Sequence, residues 1–171
     1  EENGWINAKK LMPKEINLYY RRRPQNIARK SGNIEDFCHK WGALYDYMVV
    51  LDADSLLEGK TIVEMSRLME LNSDTGIIQA PPQCINSRSL FARVQQFAGK
   101  VYGNIVSAGL CFWQVHDSNY WGHNAIIRIK AFMECCGLPV LKGPKPFGGH
   151  ILSHDFVEAA LIRRGGWYAW L

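Results

Sequence analysis

An apolar run from Tyr47 to Leu51 constrains the fold most strongly, because it ends directly in the carboxylates Asp52 and Asp54. An unbroken run of this kind is typical of a central strand in a parallel sheet that is covered on both faces. After it, helical spacing over residues 61–71 and a short apolar run over residues 76–80 predict a β-α-β unit. The chain is therefore expected to have an α/β fold.

The other segments alternate between helical and extended patterns. Apolar residues at helical spacing predict further helices over residues 34–41, 89–106, 131–136 and 153–164. Further strands are predicted over residues 120–129 and 167–171, and a strand or an extended connection over residues 16–22. A loop is predicted over residues 137–149, where prolines and glycines cluster. No internal repeat or linker interrupts the pattern, so we interpret the chain as one domain.

Composition places the chain among soluble globular domains, since 47% of its 171 residues are hydrophobic and 21% are charged. Five cysteines without a spaced framework favour a reducing compartment and argue against a structural zinc site. The sequence has no run of about 18 apolar residues and no signal peptide at its start. By itself the chain is expected neither to span a membrane nor to be secreted.

Asp52 and Asp54 offer two oxygen ligands where the predicted strand ends. Ligands of open α/β sheets bind beyond the carboxyl ends of the strands, and paired carboxylates suit Mg²⁺ or Mn²⁺. A cation held there would neutralise the charge of a leaving diphosphate. The alternative is a solvated turn that caps the next helix, which is the commoner use of such residues. The position of the two residues directly after an apolar strand favours the metal site more than the residue types alone do.

A second candidate motif consists of Lys30, Ser31, Gly32 and Asn33. The glycine would let the backbone approach a ligand, and the lysine offers a cation to phosphate. The alternative is the start of a helix with Ser31 as its N-cap. Both interpretations are compatible with these four residues alone.

Two further motifs follow later in the chain. The third consists of Trp121, Gly122, His123 and Asn124. Its aromatic and polar groups would suit a sugar, although a strand with core aromatic residues explains them equally well. The fourth places Asp155 in the first turn of a helix that Ser153 begins. The helix dipole stabilises a carboxylate there, which makes Asp155 a usable base or an ordinary dipole-complementing residue.

In chain order, the four motifs resemble the motif series of the family 2 inverting glycosyltransferases, which include cellulose, chitin and hyaluronan synthases. That family has a Lys-x-Gly-Asn segment, an Asp-x-Asp metal site, a Gly-x-x-Ala-hydrophobic-x-Arg stretch near the acceptor, and a Thr-Glu-Asp or related motif with the base. The matching segments are residues 30–33, 49–54, 121–128 and 153–156. The resemblance implies a GT-A type fold, which is a Rossmann-like, mixed but mainly parallel sheet flanked by helices.

Within the family, the narrowest match is to bacterial inner-membrane enzymes that build the glucose backbone of osmoregulated periplasmic glucans. Residues 20–23 with 29–33, residues 120–124 and residues 151–160 carry this match. It implies UDP-glucose as donor, a growing glucan as acceptor, and a membrane-embedded parent protein acting at the cytoplasmic face of the inner membrane. Another membrane polysaccharide synthase of the same family is the alternative.

The resemblance also implies a role for each matched residue. Asp155 would take the proton of the acceptor hydroxyl in a single inverting displacement, and Asp52 and Asp54 would hold Mg²⁺ or Mn²⁺. Contacts with the nucleotide sugar are implied for Lys30, Gly32, Asn33, Asp52 and Asp54. Contacts with the acceptor are implied for Trp121, Gly122, His123 and Asn124.

Two motifs of the family fall outside the printed sequence. The opening strand with its uridine-binding acidic motif is expected before Glu1, and the Gln-x-x-Arg-Trp motif is expected after Leu171. Residues 1–171 are therefore expected to be a fragment of a single catalytic domain. At residues 153–155 the chain keeps the base but lacks the acidic residue that precedes it in Thr-Glu-Asp.

A binding module without catalysis, for nucleic acid or a nucleotide, is the rival hypothesis. Residues 19–23 combine aromatic and basic side chains, as RNA-binding surfaces do. This hypothesis leaves Asp52 and Asp54 unexplained, so no nucleic-acid partner is expected. A Rossmann dehydrogenase fits less well, because no Gly-x-Gly-x-x-Gly follows an early strand.

Overall fold

The computed structural model describes residues 2–144 and 146–171, in which helices surround one four-stranded sheet. The helices are α1 (Glu2–Leu11), α2 (Arg29–Trp41), α3 (Gly59–Leu71), α4 (Leu90–Gln114), α5 (Ile129–Cys135) and α6 (His154–Arg164). The strands are β1 (Tyr47–Val50), β2 (Thr75–Gln79), β3 (Ala125–Arg128) and β4 (Tyr168–Trp170). A 3₁₀ turn, Gly42–Leu44, lies between α2 and β1.

The strand order of the sheet is β1-β3-β2-β4. Strand β3 is antiparallel to both β1 and β2, whereas β2 and β4 are parallel. A mixed α/β sheet with flanking helices is confirmed, but the expectation of a mainly parallel sheet is wrong for the described residues. The β-α-β unit is present in split form, because β3 enters from a distant part of the chain and lies between β1 and β2.

The buried centre of the sheet consists of β2 and β3. All five residues of β2 are buried, as are Ala125, Ile126 and Ile127 of β3. Strand β1 lies at one edge of the described sheet, and its residues alternate between half-buried and buried. The prediction of a central strand at residues 47–51 is therefore wrong for the described part of the chain.

Two apolar clusters cover the two faces of the sheet. Successive residues of a strand point to opposite faces, so neighbouring isoleucines belong to different clusters. On one face Ile78 and Ile126 pack with Met65 and Met69 of α3. On the other face lie Ile77 and Ile127 with residues of α2, α5 and α6, among them Ile34, Cys38, Phe132, Ala159 and Ile162. This second face carries the candidate site.

Helix α4 departs most from its prediction. Ser89 caps it by accepting a hydrogen bond from the Ala92 N–H at 3.2 Å, and the helix continues past residue 106 to Gln114. Its apolar stripe does not belong to the core, because none of its residues is buried. Across residues 2–144 and 146–171, no helix combines the length and the apolar character that a membrane crossing requires.

Two other predicted segments can be compared with the structure. Residues 16–22 form no strand, which leaves a connection as the other predicted alternative. The described residues of the predicted loop at 137–149 lie outside helices and strands, with an isolated bridge between Leu141 and Gly149; residue 145 lies outside the described residues. All five cysteines are free thiols.

Candidate active site

Lys30 joins segments that are far apart in the sequence. Its ammonium group contacts Oδ1 of Asp52 and donates a hydrogen bond to the backbone carbonyl of Gly122. The side chains of Lys30 and Asp52 are 33% and 42% exposed, so water screens the ion pair and its contribution to stability is at most about 1 kcal/mol. The importance of the contact therefore lies in the arrangement that it creates, because it brings the first three motifs together, and not in its contribution to stability.

A strained turn precedes Lys30 at the start of α2. Ala28 and Arg29 have φ angles of 52° and 48°, in the left-handed region, where each non-glycine residue costs of order 1–3 kcal/mol. The Arg23 guanidinium holds this turn by donating to the carbonyl oxygens of Ile27 at 3.0 Å and Arg29 at 2.7 Å. Arg23 thereby helps to fix the direction in which α2 presents Lys30.

Gly32 and Asn33 have contacts within the protein. Gly32 is buried, and a Cβ atom there would clash with the carbonyl oxygen of Ile27, so packing alone requires a glycine. The side-chain oxygen of Asn33 accepts a hydrogen bond from Arg21. Ser31 lies inside α2, which contradicts the interpretation of Ser31 as its N-cap. Contacts of Gly32 and Asn33 with a nucleotide stay predictions.

Asp52 follows β1, and Asp54 lies exposed in the turn after it. The N–H group of Ser55 closes this turn by donating to the Asp52 carbonyl at 3.1 Å. Within the described residues, no group of three or more His, Cys, Asp or Glu side chains is arranged to hold a metal. Two carboxylates nevertheless fit Mg²⁺, which proteins commonly bind through one or two carboxylates, water and substrate phosphate. The metal role of both residues stays a prediction.

A cationic cleft of about 770 Å³ opens beside Asp52. Its charged lining residues are Arg21, Arg22, Arg23, Arg29, Lys30 and Asp52. A concave surface with a strong excess of positive charge concentrates anions. Because Arg21 and Arg23 bond within the chain, residues 19–23 offer fewer unengaged cations to RNA than the sequence indicates. The cleft suits a compact anion such as a diphosphate.

The side chain of Gln79, at the end of β2, fixes the loop at residues 121–124 through hydrogen bonds to its backbone. The Gln79 side chain is 1% exposed. Its Nε2 donates to the His123 carbonyl at 2.8 Å, and its Oε1 accepts from the Trp121 N–H at 2.9 Å. Sequence reasoning gave Gln79 no role, although a polar residue at the end of an apolar strand was the signal that could have indicated one.

Gly122 brings this loop against Asp155. Its φ angle of +84° favours glycine, and a Cβ atom there would lie 3.2 Å from Oδ2 of Asp155. The Gly122 carbonyl also binds Lys30. The structure therefore brings together Lys30, Asp52, Gly122 and Asp155, which come from all four sequence motifs.

The other residues of the third motif differ in accessibility. Trp121 and His123 are half-buried, whereas Asn124 is buried at 9% exposure with a left-handed φ of 52°. Within the described part of the chain, Oδ1 of Asn124 has no hydrogen-bond partner. A buried amide oxygen without a partner is costly, so a polar ligand would stabilise it. Contacts of this loop with an acceptor stay predictions.

A buried polar cluster lies on the protein side of Asp155. Tyr120, His154 and Glu158 are 0%, 6% and 1% exposed. Nδ1 of His154 is 3.0 Å from Oε2 of Glu158, although the atoms are not aligned for a hydrogen bond. Burial, aided by the charge of Asp155 and opposed by His154, raises the pKa of Glu158 above its ordinary value. Burial also raises the pKa of the Tyr120 hydroxyl far above its usual range.

This cluster was missed by sequence reasoning. Its signal was the spacing of His154 and Glu158, which places them on one face of a helix one turn apart. Charged residues are rarely buried unless they are paired. Their burial next to Asp155 distinguishes this end of α6 from an ordinary solvated helix start.

A family model described as Glycosyl transferase family 2 matches residues 2–136. The chain belongs to glycosyl transferase family 2. The family resemblance of the motif series is thereby confirmed. The matched residues include Lys30, Asp52 and Gly122 and end before Asp155. Members of this family generally use a divalent metal.

Curated relatives extend the similarity over nearly the whole chain. The protein is 54% identical over 167 residues to glucans biosynthesis glucosyltransferase H of Shewanella sp. (strain ANA-3). It is 53% identical over 167 residues to the protein of the same name from Shewanella baltica (strain OS155). Each alignment covers 98% of this chain and 23% of the relative, so the chain spans less than a quarter of the relatives' length. The narrower resemblance to glucan-building enzymes is confirmed.

Proposed function

We propose that this chain is part of an enzyme that transfers glucose from UDP-glucose to a growing glucan with inversion. Membership of the family supports glycosyl transfer, and the names of the relatives support glucose and a glucan. The proposal includes an osmoregulated periplasmic glucan as the product and the cytoplasmic face of the bacterial inner membrane as the location. Because the relatives are much longer than this chain, the complete activity is assigned to the intact enzyme.

The observation that carries the proposal is the position of Lys30 between Asp52 and Gly122, with Asp155 on the other side of Gly122. One side of this arrangement opens to the cationic cleft, which would receive the diphosphate of the donor. The other side meets the loop at residues 121–124, which would bind the acceptor sugar. The anomeric carbon is then expected near Gly122, between the leaving group and the base.

In the proposed reaction, a hydroxyl oxygen of the acceptor attacks the anomeric carbon while the bond from this carbon to UDP breaks. Asp155 accepts the hydroxyl proton, and UDP leaves with the bonding electron pair. General-base help of this kind typically contributes about a hundred- to ten-thousand-fold in rate. Attack from the face opposite UDP in a single displacement gives inversion.

Charge on the departing UDP is stabilised from the side of β1. Asp52 and Asp54 would hold Mg²⁺ or Mn²⁺, and the bound cation would neutralise the developing charge of the diphosphate. Lys30 engages Oδ1 of Asp52, so Oδ2 is the atom that we expect to bind a cation. Lys30 itself adds a fixed positive charge beside the phosphate, as do the other cations of the cleft.

Calorimetry on the intact enzyme tests this proposal. UDP-glucose is titrated with and without Mg²⁺ into the unaltered enzyme and into the variants Asp52→Ala and Asp54→Ala. We expect binding that strengthens with Mg²⁺ in the unaltered enzyme and loses this dependence in both variants. Asp74→Ala is the matched control, because Asp74 lies exposed in a turn as Asp54 does but belongs neither to the motif of Asp52 and Asp54 nor to the cleft.

Three results would contradict parts of the proposal. Unchanged Mg²⁺ dependence in both variants would exclude the metal site. Equal binding of UDP-glucose and other UDP-sugars would remove glucose as the selected donor. Binding of UDP-glucose without any product from a glucan acceptor would exclude the proposed transfer.

A further inference from the structure

Helix α4 presents an apolar face away from the rest of the protein. This α4 apolar face consists of Leu90, Val94, Phe97, Val101, Ile105 and Phe112, which recur every three, four or seven residues and therefore form one stripe. Their exposed fractions range from 45% to 86%. Aromatic residues flank the stripe at Phe91, Tyr102 and Trp113, and each is also more than half exposed.

The opposite side of α4 faces the protein. Gln96, Gly99, Gly103 and Ser107 on that side are half-buried, and Sγ of Cys111 donates to the Leu171 carbonyl at 2.9 Å. A helix on the surface of a soluble domain normally turns its apolar side inward and its polar side outward. In α4 this arrangement is reversed.

The size of the exposed surface indicates a contact function. An aromatic side chain buries roughly 150–250 Å² when it is covered. Helix α4 carries five exposed aromatic residues, two in the stripe and three beside it. Soluble monomers rarely expose contiguous apolar patches larger than a few hundred Å². The α4 apolar face and its flanking aromatic residues together exceed that size.

Charge around α4 indicates the chemistry of the partner. Residues 75–116 contain no Asp or Glu, whereas Arg88, Arg93 and Lys100 are cations. Arg93 and Lys100 lie on one flank of the helix, outside the apolar stripe, and both are exposed. A basic amphipathic helix with aromatic residues on its apolar side is typical of helices that lie in the plane of a membrane surface.

We propose that α4 docks on the surface of an anionic phospholipid bilayer. The α4 apolar face would enter the boundary between headgroups and acyl chains, while Arg93 and Lys100 would meet the lipid phosphates. A second copy of the chain is a poorer occupant, since it would bring cations of the same sign together. This proposal does not depend on the sugar-transfer chemistry. The result of a membrane-binding experiment therefore does not decide the proposed function, and the result of the calorimetry does not decide membrane docking.

Vesicle flotation of the 171-residue protein tests the docking surface. We expect binding to vesicles that contain phosphatidylglycerol and at least tenfold weaker binding to phosphatidylcholine alone. The double variant Phe97→Ser and Ile105→Ser is expected to lose binding. The matched control carries Val63→Ser and Leu71→Ser on α3, where both residues have similar exposure, and it is expected to bind as the unaltered protein does.

A charge variant keeps the test decisive if the serine variant does not fold. Arg93→Gln with Lys100→Gln should weaken binding to the anionic vesicles about 30-fold, which corresponds to about 1 kcal/mol for each cation. Equal binding to both kinds of vesicle would overturn the choice of an anionic lipid. No flotation would overturn the proposal, as would a dimer in light scattering that the Phe97 and Ile105 substitutions dissociate.

Discussion

Helices α4 and α6 differ in the kinds of residue that they bury and expose. The 11 residues of α6 include four buried ones, and two of these, His154 and Glu158, are ionisable. The 25 residues of α4 include no buried one, although α4 is rich in large apolar side chains. Length and apolar content therefore do not decide which helix belongs to the core of this protein.

Each helix departs from the usual distribution of polar and apolar residues. Ionisable groups are rarely buried without a reason, and α6 buries them beside Asp155. Large apolar patches are rarely exposed without a reason, and α4 exposes one on the outside of the protein. The comparison separates a chemical site at α6 from a contact surface at α4, and the following substitutions test that separation.

Substitution of the base should have the largest effect. In the intact enzyme we expect Asp155→Asn to lower kcat by about a hundred- to ten-thousand-fold, because an amide cannot accept the acceptor proton. Binding of UDP-glucose, measured by calorimetry, should persist. Gln95→Asn on the exposed side of α4 is the control and should leave kcat unchanged. Near-normal turnover of the Asp155 variant would remove this residue from the base role.

Truncation of one isoleucine in each helix should have the next largest effect, and it should differ between the two helices. Ile162 of α6 is fully buried, whereas Ile105 of α4 is 72% exposed. Ile162→Ala should lower the free energy of unfolding by about 2–5 kcal/mol, and Ile105→Ala should change it by no more than about 0.5 kcal/mol. Urea unfolding followed by circular dichroism measures both. Similar losses in the two variants would show that α4 is packed as firmly as α6.

Loss of the Gln79 clamp should have a smaller effect on stability. Gln79→Leu leaves the Trp121 N–H and the His123 carbonyl without their partner, which should cost about 1–3 kcal/mol. Hydrogen exchange at the Trp121 amide should become faster in the variant. Gln95→Leu on α4 is the matched control, and its unfolding free energy should stay within about 0.5 kcal/mol of the unaltered protein. Unchanged exchange at Trp121 would contradict the clamp.

The buried carboxyl group of Glu158 should make the smallest and most specific difference. Its pKa is raised in the folded protein above the ordinary value of 4.5, so folding favours the protonated form and loses stability as the pH rises above that value. Glu158→Gln cannot ionise. Its advantage in unfolding free energy over the unaltered protein should therefore grow with pH, as measured by urea unfolding from pH 4 to pH 8. Parallel pH profiles would contradict the raised pKa.

From residue 34 onward, local patterns in the sequence predicted the order of helices and strands, and they also singled out the residues of the four motifs. Alternation and helical spacing are properties of neighbouring residues, so Met65, Met69 and Ile162 were correctly placed in helices. The antiparallel insertion of β3 could not be predicted, because pairing between distant strands leaves no local signal.

Within the site, the sequence predicted residue types better than contacts. Lys30 and Asp52 were identified by their motifs, but their meeting at Gly122 depends on how α2 packs against the sheet. Gln79 and Glu158 were missed because their importance comes from burial, which a single sequence does not show. Helical spacing predicted α4 and its apolar stripe, but such spacing identifies an apolar face and not what covers it.

The number of N–H donors on the ammonium group of Lys30 limits how many phosphate oxygens this residue can bind. A lysine has three N–H donors, and two of them are engaged by Asp52 and the Gly122 carbonyl. With these contacts in place, Lys30 retains one donor and can satisfy a single oxygen of an incoming phosphate. Every further phosphate oxygen then requires a different partner, which the arginines that line the cleft or a cation held by Asp52 and Asp54 would have to supply.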